Sequence, residues 1–156
     1  VIHLERKIKA VNFIHKQAAP LTKEEVRKII DKDYNFLLQS NHELLKIFYF
    51  ESTSNLLRPR VVVDYEREPY ILNEGNLRVT FDKNVRAGLE GFNIFNPKMP
   101  MIETLDPTRL IMEVKYTEFI PNLIREVLPA KASDYAAVSK YIMCCDKTLH
   151  KKNSYL

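Results

Sequence analysis

The stretch VVVDYEREPYILNEGNLRVTFD, Val61–Asp82, reads as two strands joined by a turn. Successive side chains of a strand point to opposite faces. In Asn76–Asp82 (NLRVTFD), Arg78, Thr80 and Asp82 therefore oppose Leu77, Val79 and Phe81. Val61–Tyr70 comes before it, and ILNEG between the two suits a β-hairpin. Two further segments alternate in the same way. In Val1–Lys9 (VIHLERKIK), His3, Glu5, Lys7 and Lys9 oppose Ile2, Leu4 and Ile8. In Leu110–Tyr116 (LIMEVKY), Glu113 and Lys115 oppose Leu110, Met112, Val114 and Tyr116. An ordinary half-exposed sheet also alternates. The choice of long Arg, Lys and Glu side chains on every one of these strands points further, to a polar cavity that holds an anion.

The rest of the chain bounds that reading. Its 156 residues suffice for one domain with a real core, and 46% apolar with 28% charged residues is a globular composition. The net charge of +4 favours anionic partners without choosing among them. No apolar run has the length of a membrane span, and the first residues lack a secretory layout, so a cytoplasmic location is expected. The two cysteines are adjacent, Cys144 and Cys145, which fits reduced thiols better than a disulfide or metal pair. With only Gly75, Gly88 and Gly91, a glycine-rich phosphate loop is excluded, so side chains must hold any phosphate. The chain opens inside a strand-like segment, which is the expected look of the C-terminal part of a longer polypeptide.

Between the strands the sequence predicts helices. Ala10–Pro20 reads as a polar loop. Thr22-Lys-Glu-Glu25 has the form of a capping box that opens a helix over Lys23–Asp31. A second helix is expected over Glu43–Leu57, stopped by Arg58-Pro59. Asn84–Asp106 reads as a long irregular connection. Short helices follow at Asn122–Leu128, behind Pro121, and at Tyr135–Cys144, capped by Asp134, with HKKNSYL as a frayed tail. The fold class is α+β, a mostly antiparallel sheet with flanking helices.

Glu113-x-Lys115 is the most pointed pair. Residues i and i+2 face the same way about 7 Å apart, near enough to serve one ligand but too far for a tight ion pair. A carboxylate among cations in an anion site makes sense if it holds Mg²⁺ or Mn²⁺, which bridges phosphate oxygens; a solvated Glu–Lys face is the plainer alternative. Glu5-x-Lys7-x-Lys9 repeats the pattern. Arg67 and Arg78 have the planar fork that phosphate oxygens suit, or they are cross-strand partners of Asp64, Glu66 or Glu68. Asp82 follows Arg78 by four and is placed to hold an arginine. By spacing alone Lys16 and Lys140 are surface lysines. No nucleophile has a His–Asp arrangement near it, and acidic residues sharing the basic faces argue against nucleic acid as a partner.

The run RPRVVVDYEREPYILNEGNLRVTFDKNVRAGL, with IMEVKYTEFIPNLIREVLP, SKY and the opening HLERKIK, resembles the catalytic domain of the vacuolar transporter chaperone complex. It is more similar to the bacterial polyphosphate polymerase domains related to it. The resemblance covers almost the whole chain, with several motifs in order. It implies a triphosphate tunnel, an antiparallel barrel lined by inward charges. It also implies transfer of the ATP γ-phosphoryl group to a growing inorganic polyphosphate chain. By motif position, Lys7, Arg67, Arg78, Lys115 and Lys140 would bind phosphate, with Lys9 and Lys16 as further candidates. Arg67, Arg78 and Lys115 would carry the transfer, while Glu113 and Glu5 would hold the metal. The family's first barrel strands have no counterpart here. Residues 1–150 are thus expected to be the C-terminal portion of such a domain and 151–156 a tail. The barrel would be open on one side, and its unpaired edges would invite association. A triphosphatase of the same fold and a non-catalytic polyanion-binding module are the competing readings.

Overall fold

The computed structural model describes residues 1–10, 13–128 and 137–153. It is α+β with antiparallel pairing throughout, and it divides into two compact units, Val1–Arg60 and Val61–Leu156.

The first unit pairs β1 (His3–Ala10) with β2 (Phe13–Pro20), so the predicted loop over Ala10–Pro20 is instead a strand. FIHKQAAP has little strand propensity of its own, and pairing with β1 supplies what the local sequence lacks. Leu4 and Ala19 sit opposite each other on the face that meets a cluster of Tyr34, Leu37, Leu44 and Leu45. Helix α1 (Lys23–Ile30) opens on the predicted capping box, with both reciprocal bonds present. After a 3-10 turn at Asn35–Gln39 comes α2 (Glu43–Thr53). It stops short of the predicted Leu57. Ser, Thr and Asn compete with the helix for its own carbonyls. The Thr53 hydroxyl bonds back to the Tyr49 carbonyl at 2.8 Å, and beyond the helix end the Asn55 amide donates to the Glu51 side-chain carboxylate.

The second unit is built on one long central strand. β3 (Val63–Leu72) pairs along one edge of β4 (Leu77–Gly88). Along the other edge lie β5 (Met101–Glu103) and β6 (Ile111–Lys115). The predicted irregular connection after Asn84 is thus partly strand. Gly75, at φ +68, makes the turn between β3 and β4; a Cβ there would collide with the Phe119 carbonyl oxygen. Helices α3 (Asn122–Val127) and α4 (Lys140–Asn153) complete the unit. The predicted cap at Asp134 and helix start at Tyr135 lie outside the described residues, and α4 runs on through Asn153 into the expected tail.

A bulge in β4 organises the whole sheet. Asp64 pairs with Arg86 but Glu66 pairs with Lys83, so Asn84 and Val85 together oppose Tyr65. Asn84 has φ +51, a left-handed conformation that asparagine tolerates well. One extra residue flips every side chain beyond it to the other face. Leu77, Val79, Phe81, Val85 and Ala87 follow one alternation in sequence, yet the last two lie on the face of Arg78, Thr80 and Asp82. That face is therefore charged at one end and apolar at the other. At the apolar end Val85 and Ala87 meet Cys144 of α4, with Val63, Tyr65, Ile102 and Ile111 packed around them.

Among the described residues the strands form a two-stranded and a four-stranded sheet, and neither closes into a barrel.

Candidate functional site

Cross-strand register places most of the predicted residues of the second unit on one patch of the four-stranded sheet. Ile71, Arg78 and Lys115 form one row across β3, β4 and β6. Pro69, Thr80 and Glu113 form the next, and Arg67, Asp82 and Ile111 the third. Lys140 joins from α4. It lies four residues before Cys144, on the helix face that meets the sheet. The patch holds four cations, Arg67, Arg78, Lys115 and Lys140, against the carboxylates of Asp82 and Glu113.

Asp82 is the buried centre of one end of the patch, with its side chain 1% exposed. Arg67 approaches it with two parallel bonds, Nε to Oδ1 at 2.7 Å and Nη2 to Oδ2 at 2.8 Å. Lys140 donates to the same Oδ2 at 2.6 Å. The Tyr65 ring backs both cations, 5.2 Å from the Arg67 guanidinium carbon and 4.9 Å from the Lys140 nitrogen. The Arg67 hydrogen bond, then that of Lys140, holds the Asp82 carboxyl down at about 2, against burial, which raises it. The guanidinium is pushed up in turn by the Asp82 bond.

The arginine alternatives resolve by face. Asp64, Glu66 and Glu68 point to the opposite side of the sheet. There Asp64 pairs with Arg86, Glu66 accepts from the Asn84 amide, and Glu68 bonds Lys83 at 2.8 Å. Arg67 takes Asp82 instead. Arg78 has no ion-pair partner among the described residues and stands beside Lys115, a like charge. Lys115 reaches Glu113 at 3.1 Å, closer than the backbone separation predicts, because both side chains are long enough to lean together.

Sequence reasoning passed over Thr80. It is 3% exposed at the middle of the patch, and its hydroxyl has no hydrogen-bond partner. An unmet buried hydroxyl costs about 1–3 kcal/mol. Tyr65 was also missed, although its place two residues before Arg67 puts it on the same strand face.

The remaining predicted residues are in the first unit. Glu5, Lys7 and Lys9 share the exposed face of β1, and Lys16 of β2 stands directly opposite Lys7. Lys16 bonds Glu5 at 2.6 Å and pulls its carboxyl below the usual range. The strand assignment of β2 is what turns Lys16 from a loop lysine into a member of this face.

Among the described residues no three His, Cys, Asp or Glu side chains gather as a metal cage. Mg²⁺-like cations are commonly held by one or two carboxylates together with substrate phosphates and water. The half-exposed Glu113, in register with the unpartnered Thr80, suits that mode and not an all-protein site.

No helix among the described residues is long and apolar enough to cross a membrane. Comparison with curated proteins found no match, and neither did comparison with solved structures. A family model described as the VTC domain matches residues 1–149, running through both compact units, and the chain belongs to that family.

Proposed function

We propose that this chain is part of a metal-dependent polyphosphate polymerase, acting in the cytoplasm, that passes the ATP γ-phosphoryl group to a growing polyphosphate chain. Membership of the VTC family supports a polyphosphate-related role. The observation that carries the reading is the cluster of Arg67, Arg78, Lys115 and Lys140 on one sheet face beside the half-exposed carboxylate of Glu113, which Lys115 meets at 3.1 Å. That face would form part of a triphosphate tunnel wall. Lys7, Lys9 and Lys16, on the hairpin of the first unit, are further phosphate-binding candidates. Glu113 would hold Mg²⁺ or Mn²⁺ together with phosphate oxygens; Glu5, engaged by Lys16, is the second candidate.

In the transfer, the bond between the γ-phosphorus and the β–γ bridging oxygen breaks. A terminal oxygen of the polyphosphate chain forms the new bond, and ADP leaves. The acceptor is already anionic, so no strong base is needed. Protein contributes mainly in-line positioning and charge stabilisation. Arg67 spends one edge of its guanidinium on Asp82 and keeps the other for phosphate oxygens. Lys140 likewise keeps N–H donors beyond its single bond to Asp82. A bound cation supplies further neutralisation.

Incubation of the protein with ATP and Mn²⁺ tests this. Polymer longer than the starting phosphates is expected, with loss of that activity in Glu113→Ala. Phosphate release alone points to a triphosphatase. Metal-independent, salt-sensitive polyphosphate binding that survives Glu113→Ala, without turnover, points to a binding module.

A further inference from the structure

We propose that Asp82 is a positioning residue for the phosphate site, fixing Arg67 and Lys140 as a single two-cation clamp aimed at one phosphoryl group. This rests on the reading above. Asp82 is buried and both of its oxygens are occupied, Oδ1 by Arg67 and Oδ2 by Arg67 and Lys140 together. It is therefore not presented to a ligand. The cations it holds are only partly exposed, 34% for Arg67 and 22% for Lys140, so their free N–H groups emerge from a common base. Their sequence positions are far apart, on a strand and on a helix, and Asp82 is the contact that joins them. The Tyr65 ring closes the space behind both. On the same face Arg78 has no ion-pair partner among the described residues, and Lys115 has only the half-exposed Glu113, so neither cation has a buried anchor. A bidentate arginine and a lysine held at fixed spacing match a tetrahedral phosphoryl group better than mobile side chains, because the ordering cost is met in advance.

Asp82 also lowers the net charge of the clamp by one. Removing that charge strengthens attraction for anions while releasing the geometry. Asp82→Asn in the full chain is therefore expected to bind tripolyphosphate at least as tightly as the parent, with a steeper salt dependence, while turnover falls about 10–100-fold. An aspartate that merely supports the fold would lose binding and turnover together, in step with the folded fraction. That result overturns the proposal, and so does unchanged turnover.

If Asp82→Asn does not fold, the cycle of Arg67→Ala, Lys140→Ala and the double variant decides, read by calorimetry with tripolyphosphate. Coupling through Asp82 makes the two affinity losses non-additive by about fivefold; strictly additive losses overturn the proposal. A parent chain that binds tripolyphosphate but makes no polymer sinks the polymerase reading alone, and the same cycle still judges Asp82.

Discussion

Among the described residues, two places put a lysine 2.6 Å from a carboxylate: Lys16 on Glu5, and Lys140 on Asp82. Their surroundings differ. On the hairpin the two side chains are 53% and 41% exposed, and water and salt screen the pair. On the four-stranded sheet the carboxylate is buried, a second cation shares it, and an aromatic ring walls it in. Equal distance thus conceals unequal rigidity. The Glu5 pair is a contact that Lys16 can leave for a phosphate and Glu5 for solvent. The Asp82 cluster is a frame that a ligand must accept as it stands. Charge alone does not make a site; charge held from behind does.

The comparison breaks most visibly in turnover. Arg67→Ala is expected to lower kcat for polymer formation by about 10²–10³, the scale of losing one fixed donor to developing charge. Arg67→Lys should lose nearly as much, since an ammonium lacks the planar fork that makes two parallel bonds to Asp82 and leaves a second edge for phosphate. Lys16→Ala, on the exposed pair, should lose about tenfold or less. Steady-state assays of the three variants read the contrast directly, and equal losses in Arg67→Lys and Lys16→Ala would erase it.

Why only part of this was legible in the sequence follows from particular residues. Charged alternation in NLRVTFD and IMEVKY put Arg78 on the polar side of its strand and Glu113 with Lys115 on the polar side of theirs, because period-two patterning is local. The capping box at Thr22 and Glu25 was legible for the same reason. β2 was not, since FIHKQAAP becomes a strand only through its partner. The bulge at Asn84 was hidden by a run of alternate apolar residues from Leu77 to Ala87, interrupted only by Lys83, although that run spans two faces. Without the bulge α4 would not find Val85 and Ala87 beneath it. Lys140 is the plainest case: by spacing an isolated lysine, it reaches Asp82 only because the bulge brings α4 to that face.

A middle-sized effect lies in acid. The Asp82 carboxyl is held at about 2, against an ordinary 3.8. A depressed carboxyl contributes stability that is present above its ordinary value and lost as pH falls through the folded one. The second unit should therefore lose about 2 kcal/mol between pH 4 and pH 2 through this group. Asp82→Asn should lose stability at pH 7 and show a shallower slope across that window. Thermal or urea unfolding followed from pH 2 to pH 7 checks this, and an identical slope in the variant would deny Asp82 its role as the buried anchor.

The smallest expected effect tests the exposed side of the comparison. Glu5 is also pulled below its ordinary range by Lys16, but on an exposed face of the hairpin. There the gain of the pair is offset by the entropy of fixing two long side chains, and salt screens what remains. Glu5→Gln should shift Tm by no more than about 1 °C, and less still in 1 M salt. Its effect should appear in binding instead. Lys16, released from Glu5 and opposite Lys7, offers a full charge to an incoming anion, so tripolyphosphate affinity should rise a few-fold at low salt. A drop of several degrees in Tm would mean that the hairpin depends on its ion pair as the sheet depends on Asp82. The distinction between a contact that yields and a frame that does not would then fall.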